Sequence, residues 1–521
     1  MEQAIVYPVG EQSFENLRAD SAVYVDKTAL IYQLVKQGRF YFLSRPRRFG
    51  KSLLVSTLEA YFLGKRELFA GLAMERLEKD WTQHPVLHLD LSGVNYVGEG
   101  KLETALGDFL AGWEQTYSGK VSDGLFEIRF RNVIEHAHAR TGQQAVVLVD
   151  EYDKPMLDAI GSRELLARNQ QVLRGFYGAL KASAPHLRFV FLTGVTRFAH
   201  VNIFSGLNNL ADISMVPAFD ALCGITEAEL HANLAEGVAR MAGARGLTVE
   251  ACYARLKRQY DGYRFSAEAA EGVYNPFSLL WALQYRLFGS QWFATGTPSY
   301  LVQVMQESGY WVDDLTGKEV TLQDLGDIRD PYQNPQALFY QAGYLTLGGR
   351  GRRKGTYRLR FPNGEVKEGF RQFLQECYLP GVFGGETYNA LAFHRLLAAG
   401  DAEGFMALLA SFFWVSNYEV VGDQEKYYQN TLRALFMLMG TRAEAEHRTA
   451  NGRIDLLVWL PQYVYLFEIK MDRGAEVALE QIEWKGYAKG VDKGDRQLIA
   501  IGVSFSRAER GIQEWKVARG R

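Results

Sequence analysis

Residues 451–470, NGRIDLLVWLPQYVYLFEIK, read as two strands joined at Pro461-Gln462, with Asp455 opening the first and Glu468 and Lys470 closing the second. Residues two apart on a strand share a face, so Glu468 and Lys470 project together while Phe467 and Ile469 turn the other way. Asp455 and Glu468 supply the hard oxygen donors that Mg²⁺ prefers. Lys470 can hold an attacking water or offset charge developing on a scissile phosphate. The trio therefore points to metal-dependent phosphodiester cleavage. Taken alone, Asp-x12-Glu-x-Lys is short enough to recur by chance, and a plain hairpin with solvated charged ends gives the same pattern.

The flanks of the hairpin shift that balance. In residues 475–490, AEVALEQIEWKGYAKG, Ala475, Ala478, Leu479 and Ile482 recur at helical spacing, and Gln481 and Lys485 share another face. Residues 422–440, GDQEKYYQNTLRALFMLMG, form a second amphipathic pattern, with Tyr428, Leu432, Leu435 and Met439 on one side and Glu425 near the start. Helix with Glu, strand with Asp, strand with Glu-x-Lys and helix with Gln together resemble the PD-(D/E)XK nuclease superfamily. That resemblance implies catalytic places for Asp455, Glu468 and Lys470 and an accessory place for Gln481. It also implies a metal shell of Asp455, Glu468 and a helix-borne acid, Glu425, for which Glu446 competes. An isolated glutamate at a helix end is equally a solvated acid.

A second block lies in residues 38–64, GRFYFLSRPRRFGKSLLVSTLEAYFLG. Arg39 to Ser44 reads as a buried strand, and Leu53, Leu54, Leu58, Tyr61 and Phe62 repeat at helical spacing until Gly64. Gly50-Lys51-Ser52 between them is the tail of a phosphate-binding loop: backbone N–H groups cradle phosphate, Lys51 reaches its outer oxygens and Ser52 ligates Mg²⁺. The general pattern wants glycine at position 45, where this chain has Arg45, followed by Pro46, Arg47 and Arg48. Downstream, AVVLVDEYDKP (145–155) is an apolar strand ending in Asp150, suited to an Mg²⁺ shell, and Glu151, suited to orienting water. PVLHLDLS (85–92) and LRFVFLTGVTRF (187–198) add strands to the same parallel sheet, doubly wound and covered on both faces. Thr193 and Arg197 at the end of the latter are candidate γ-phosphate sensors.

Together YVDKT (24–28), RPRRFGKS (45–52), DEYDKP (150–155), LTGVTRF (192–198), FSGLNNLADIS (204–214) and YNPFSLL (274–280) resemble the AAA-ATPase-like family, in which RPRRFGKS is the usual form of the loop. The resemblance implies ATP binding, with Arg48, Gly50, Lys51, Ser52, Asp150, Thr193 and Arg197 around the nucleotide. Mg²⁺ would lie on Ser52 and Asp150, and Glu151 would be the catalytic carboxylate that orients or deprotonates the attacking water.

The 521-residue length and 47% hydrophobic content suit several cores. The expectation is an α/β multidomain chain: a P-loop NTPase domain over 1–280, a connecting helical and α+β module over 281–385, and a nuclease-like domain over 386–521. In the module, FYQAGYLTL (339–347) and GTYRLRFPN (355–363) read as a strand pair around a basic turn, and DGYRF (261–265) as a structural aromatic turn. The 58 Lys and Arg against 60 Asp and Glu give no basic field, so contact with nucleic acid, DNA in the first instance, has to be local. Arg442, Arg448, Arg453, Lys516, Arg519 and Arg521 are the candidates. Cys223, Cys252 and Cys377 lack the spacing of a disulfide or zinc framework, which favours a reducing cytoplasm; the chain as a whole is expected to be prokaryotic. No charge-free run reaches the ~18 residues of a membrane span. The function expected is an ATP-controlled, Mg²⁺-dependent nuclease; the alternative is a nucleotide-switched scaffold that binds without cutting. Oligomeric state stays open.

Overall fold

In the computed structural model, the residues described are 5–197, 203–204, 207–294, 300–301, 304–305, 319–326, 328, 330, 332–370, 390–416, 425–439, 441–449, 451–508 and 511–519. They divide into two compact units, Met1–Leu301 with Asp313–Lys367, and Val302–Val312 with Glu368–Arg521. The interval expected to form a connecting module, 281–385, is thus shared between the two units.

In the first unit, near-continuous apolar runs make a parallel sheet buried on both faces, as such runs require. Its strands are β1 (Phe40–Ser44), β2 (Val86–Asp90), β3 (Ala145–Asp150), β4 (Leu187–Gly194) and β5 (Ala211–Asp212), in the order β2-β3-β4-β1-β5. β4 lies between β1 and β3, in register Ser44↔Gly194 with the former and Val149↔Leu192 with the latter. The carboxyl ends of β1 and β3 therefore open on one edge, where ligands of open α/β sheets bind. Helix α1 (Lys51–Phe62) follows β1 and buries Leu54, Leu58 and Phe62 against the sheet. Each such side chain contributes about 1.5–3 kcal/mol.

A three-stranded antiparallel sheet, β6 (Glu319–Thr321), β8 (Thr356–Arg360) and β7 (Thr346–Arg350), completes this unit. Here the expectation for residues 339–347 needs correction. Residues 335–341 form helix α2 (Pro335–Gln341), and only Thr346 and Leu347 of that stretch enter a strand. Asn334 caps the helix by accepting from the Ala337 N–H, with Pro335 at its first turn. This local start signal outweighs the β-propensity of Phe339 and Tyr340.

The second unit is built on a mixed sheet, β13-β12-β11-β10-β9. Its strands are β9 (Arg442–Thr449), β10 (Gly452–Trp459), β11 (Tyr463–Met471), β12 (Gln497–Ser506) and β13 (Gly511–Arg519). Only β11 and β12 run parallel, and the crossover between them carries helix α5 (Ala475–Trp484). Helices α3 (Ala402–Ser416) and α4 (Glu425–Leu438) supply Phe405 and Phe436, whose rings lie 6.2 and 5.7 Å from Phe467. Phe467 thus turns toward these helices, and Glu468 toward α5. Among the described residues no helix is long and apolar enough to cross a membrane.

Candidate functional sites

At the end of β1 the chain turns through Arg48 (φ +67°) and Gly50 (φ +86°) before α1 begins at Lys51. Left-handed backbone at Arg48 is uncommon for a residue with a Cβ and marks a conformation that its surroundings impose. Lys51 is nearly buried: its Nζ donates to Pro46 O at 3.3 Å and lies 3.5 Å from the Glu151 carboxylate. Burial and the neighbouring Glu151 push the Asp150 carboxyl up to about 6, opposed by a hydrogen bond from Ser52 and the charge of Lys51. Ser52 and Asp150, expected to share a cation, are therefore neighbours. A cavity of about 450 Å³ opens beside them, bounded by Arg47, Arg48, Gly50, Lys51, Ser52 and Glu151 at one end. Val23, Val25, Ile31, Leu222, Ile225 and Phe277 are among its apolar walls.

Arg45, at the position of the general loop's first glycine, serves as an internal brace. It is buried, with Nη1 donating to Ser44 O (2.9 Å) and Ser214 O (2.7 Å) and Nη2 to Phe219 O (3.1 Å). Its guanidinium lies 4.0 Å from the centre of the Phe265 ring. The DGYRF turn is structural in the same sense: Tyr263 and Phe265 meet Phe49 edge-on at 4.7 and 5.5 Å.

Thr193 and Arg197 stand outside the lining of this cavity. The Thr193 hydroxyl is buried and donates to Leu43 O at 2.8 Å, a tie between β4 and β1. Arg197 is ion-paired to Asp212 through Nε (2.7 Å) and Nη2. Two further residues have no role in the sequence reading. Lys27 lines the cavity, paired with Glu229 at 2.6 Å. Asp153 is buried and accepts from Val195 N (3.2 Å), Thr196 N (2.6 Å) and Thr196 Oγ1 (2.7 Å), fastening the loop after β4 to the loop after β3. A Cβ at Gly194 would lie 2.3 Å from Asp153 Oδ1, so that glycine makes room for the clamp. Their presence in YVDKT and DEYDKP was the available signal.

In the second unit, the β10–β11 ladder pairs Leu456 with Phe467; one step further sets Asp455 opposite Glu468. The Asp455 Oδ2 accepts from the Ile469 N–H at 2.7 Å. Glu468 is 1% exposed, and its Oε1 accepts from Lys470 Nζ at 2.7 Å and from Gln481 Nε2. Asp455, Glu468, Lys470 and Gln481 are thus gathered at one place by two strands and one helix. The helix can approach because Gly502, the partner of Glu468 on β12, has no side chain: a Cβ there would lie 2.5 Å from Ala475 O. Glu425 begins α4, and its side chain lies outside the described residues. Glu446 (φ +51°) interrupts the β9 ladder and pairs with Arg453 at 2.6 Å.

The other basic candidates are dispersed. The Arg442 guanidinium lies 4.5 Å from the centre of the Trp459 ring, Lys516 pairs with Glu476, and Arg519 donates to Gly400 O at 3.2 Å. Arg521 lies outside the described residues.

Comparison with known proteins agrees with both blocks. A family model described as predicted AAA-ATPase matches residues 8–204, and one of the PD-(D/E)XK nuclease superfamily matches residues 423–515. A protein of Azotobacter chroococcum mcd 1, described as an uncharacterized protein in the vnfD 5′ region, is 38% identical over 528 residues, covering 97% of each chain. The chain belongs to the predicted AAA-ATPases that carry a C-terminal PD-(D/E)XK nuclease superfamily domain.

Proposed function

We propose that the chain is an ATP-binding and ATP-hydrolysing protein whose nucleotide state governs a Mg²⁺-dependent nuclease acting on DNA phosphodiester bonds. The observation that carries the reading is the gathering of Asp455, Glu468, Lys470 and Gln481 at one point of the mixed sheet. The donor set suits Mg²⁺, since two carboxylates on adjacent strands are hard ligands and Asp455 is already oriented by a backbone N–H. Asp455 and Glu468 would hold the ion, which when bound supplies Lewis acidity toward the phosphate. Lys470 holds the attacking water or offsets the developing negative charge, and Gln481 fixes the Glu468 carboxylate. In the first unit, Lys51 would contact the outer phosphates, Ser52 and Asp150 would hold the second Mg²⁺, and Glu151 would orient water. Arg47 and Arg48 stand at the same end of the cavity, while its apolar walls suit a flat base.

The test is three variants, Asp455→Ala, Glu468→Ala and Lys470→Ala, assayed on single- and double-stranded DNA and RNA with and without Mg²⁺. Each should lose cleavage while phosphate release from ATP stays near the parent rate. Cleavage persisting in all three would move the active centre elsewhere.

A further inference from the structure

The C-terminal end of α5 bears an aromatic side chain that the catalytic roles leave unused. Trp484 is 80% exposed. The helix end that carries it is anchored, because Asn451 Nδ2 donates to Lys485 O at 3.0 Å and ties that end to the β9–β10 turn. The Lys485 ammonium lies 4.6 Å from the centre of the Trp484 ring, over one face, which leaves the other to a partner. One helical turn earlier on α5, Gln481 donates to Glu468. On the strands, Arg453 and Arg448 stand directly opposite each other in the β10–β9 ladder, two residues before Asp455. Both are exposed, and like charges facing across a ladder destabilise it unless an anion joins them. Glu446 offsets part of the charge on Arg453.

We infer that Trp484 is a stacking platform for an unpaired base, and Arg448 and Arg453 the adjacent phosphate contacts, of a single-stranded nucleic acid reaching the Asp455–Glu468–Lys470 site. The inference rests on the nuclease reading of that site. An exposed ring stacks only on a base whose face is free, and in a duplex those faces are covered by neighbouring pairs. Exposed Glu480 and Glu483 on the same helix keep the patch from being uniformly basic, so the ring has to contribute alongside the charges.

The experiment measures binding apart from cleavage: fluorescence anisotropy of labelled oligothymidylate, oligouridylate and a blunt duplex of equal length, with Mg²⁺ chelated. Trp484→Ala should weaken the single strands about tenfold, in line with one base–aromatic stack, and the duplex less than about twofold. Trp484→Phe should recover most of the loss. Arg448→Ala with Arg453→Ala should reduce the slope of log affinity against log salt by about 1.4 on single strands, about 0.7 per phosphate contact. Binding of either sugar type supports the platform. Unchanged single-strand affinity in Trp484→Ala, equal loss on the duplex, or no single-strand binding by the parent protein would overturn it. Tight binding without cleavage when Mg²⁺ is restored would remove the nuclease reading and leave the platform standing.

Discussion

Replacing Arg45 by glycine would give the loop the residue that the general phosphate-binding pattern has at that position, and the structure predicts damage. Arg45 satisfies three carbonyls, Ser44 O, Ser214 O and Phe219 O, at 2.7 to 3.1 Å from a buried position. Charge-assisted bonds of this kind contribute about 1.5–3 kcal/mol each, and an orphaned buried carbonyl costs about 1–3 kcal/mol. Part of this is offset by the desolvation cost of burying the guanidinium, which holds its pKa below the ordinary arginine value. The net expectation for Arg45→Gly is a loss of about 3–5 kcal/mol, comparable with breaking a buried pair. Removing the guanidinium from the Phe265 ring also leaves a cavity behind Phe49, so ATP affinity should fall with stability. Arg45→Lys, with one point charge in place of a planar fork, should recover less than half of the loss. Urea titration of the first unit, followed by circular dichroism with and without ATP, reads both quantities. An Arg45→Gly protein of parental stability that binds ATP as tightly or more tightly would refute the assignment of Arg45 as a brace.

Two further outcomes follow from individual contacts. Glu365 is buried, its Oε1 accepting from Ser278 Oγ and Trp292 N, both at 2.9 Å, and burial raises its carboxyl from 4.5 to about 7. The folded state holds this proton more tightly than the unfolded chain, so its contribution to stability is full below pH 4.5 and is lost as pH rises to about 7. At about 1.4 kcal/mol per pH unit, that is about 3 kcal/mol, which Glu365→Gln should recover at pH 8. Melting curves of parent and variant at pH 5 and pH 8 measure it, and equal pH slopes in the two proteins would contradict it. Gly502→Ala should drive the new Cβ into Ala475 O and displace α5, costing about 1–3 kcal/mol and separating Gln481 from Glu468. Cleavage should drop at least about tenfold while ATP binding is retained, and an unchanged cleavage rate would mean that the Gln481 contact has no part in the chemistry.

Four strands of the parallel sheet and the β10–β11 hairpin were legible because they announce themselves: Ala145–Asp150 is wholly buried, and Tyr463–Met471 is buried over six consecutive residues. Period-2 reasoning also set Glu468 and Lys470 on one side and Phe467 on the other, which the contacts with Gln481 and Phe436 reproduce. What escaped the sequence reading depends on residues far apart in the chain. The roles of Arg45 and Thr193 are set by carbonyls they meet only after folding, and Arg197, in the loop after β4, meets its Asp212 partner on β5, two strands across the sheet. Asp153 and Gly194 act as a pair, separated by forty-one positions and by the crossing from β3 to β4. The helix at Pro335–Gln341 follows from a local cue, Asn334-Pro335, which outweighs the aromatic run because it fixes both a cap and a backbone angle.

The central claim, that nucleotide state governs a Mg²⁺-dependent cut made at Glu468 and Lys470, is tested most directly by one set of time courses. DNA cleavage is followed in Mg²⁺ with ATP, with ADP and with no nucleotide, for the parent protein, Lys51→Ala and Lys470→Ala. Coupling requires ATP to favour one of two states, so rates in ATP and ADP should differ in the parent, converge in Lys51→Ala and vanish in Lys470→Ala. Cleavage that survives in Lys470→Ala, or parental rates that are the same with ATP, ADP and neither, would contradict the account.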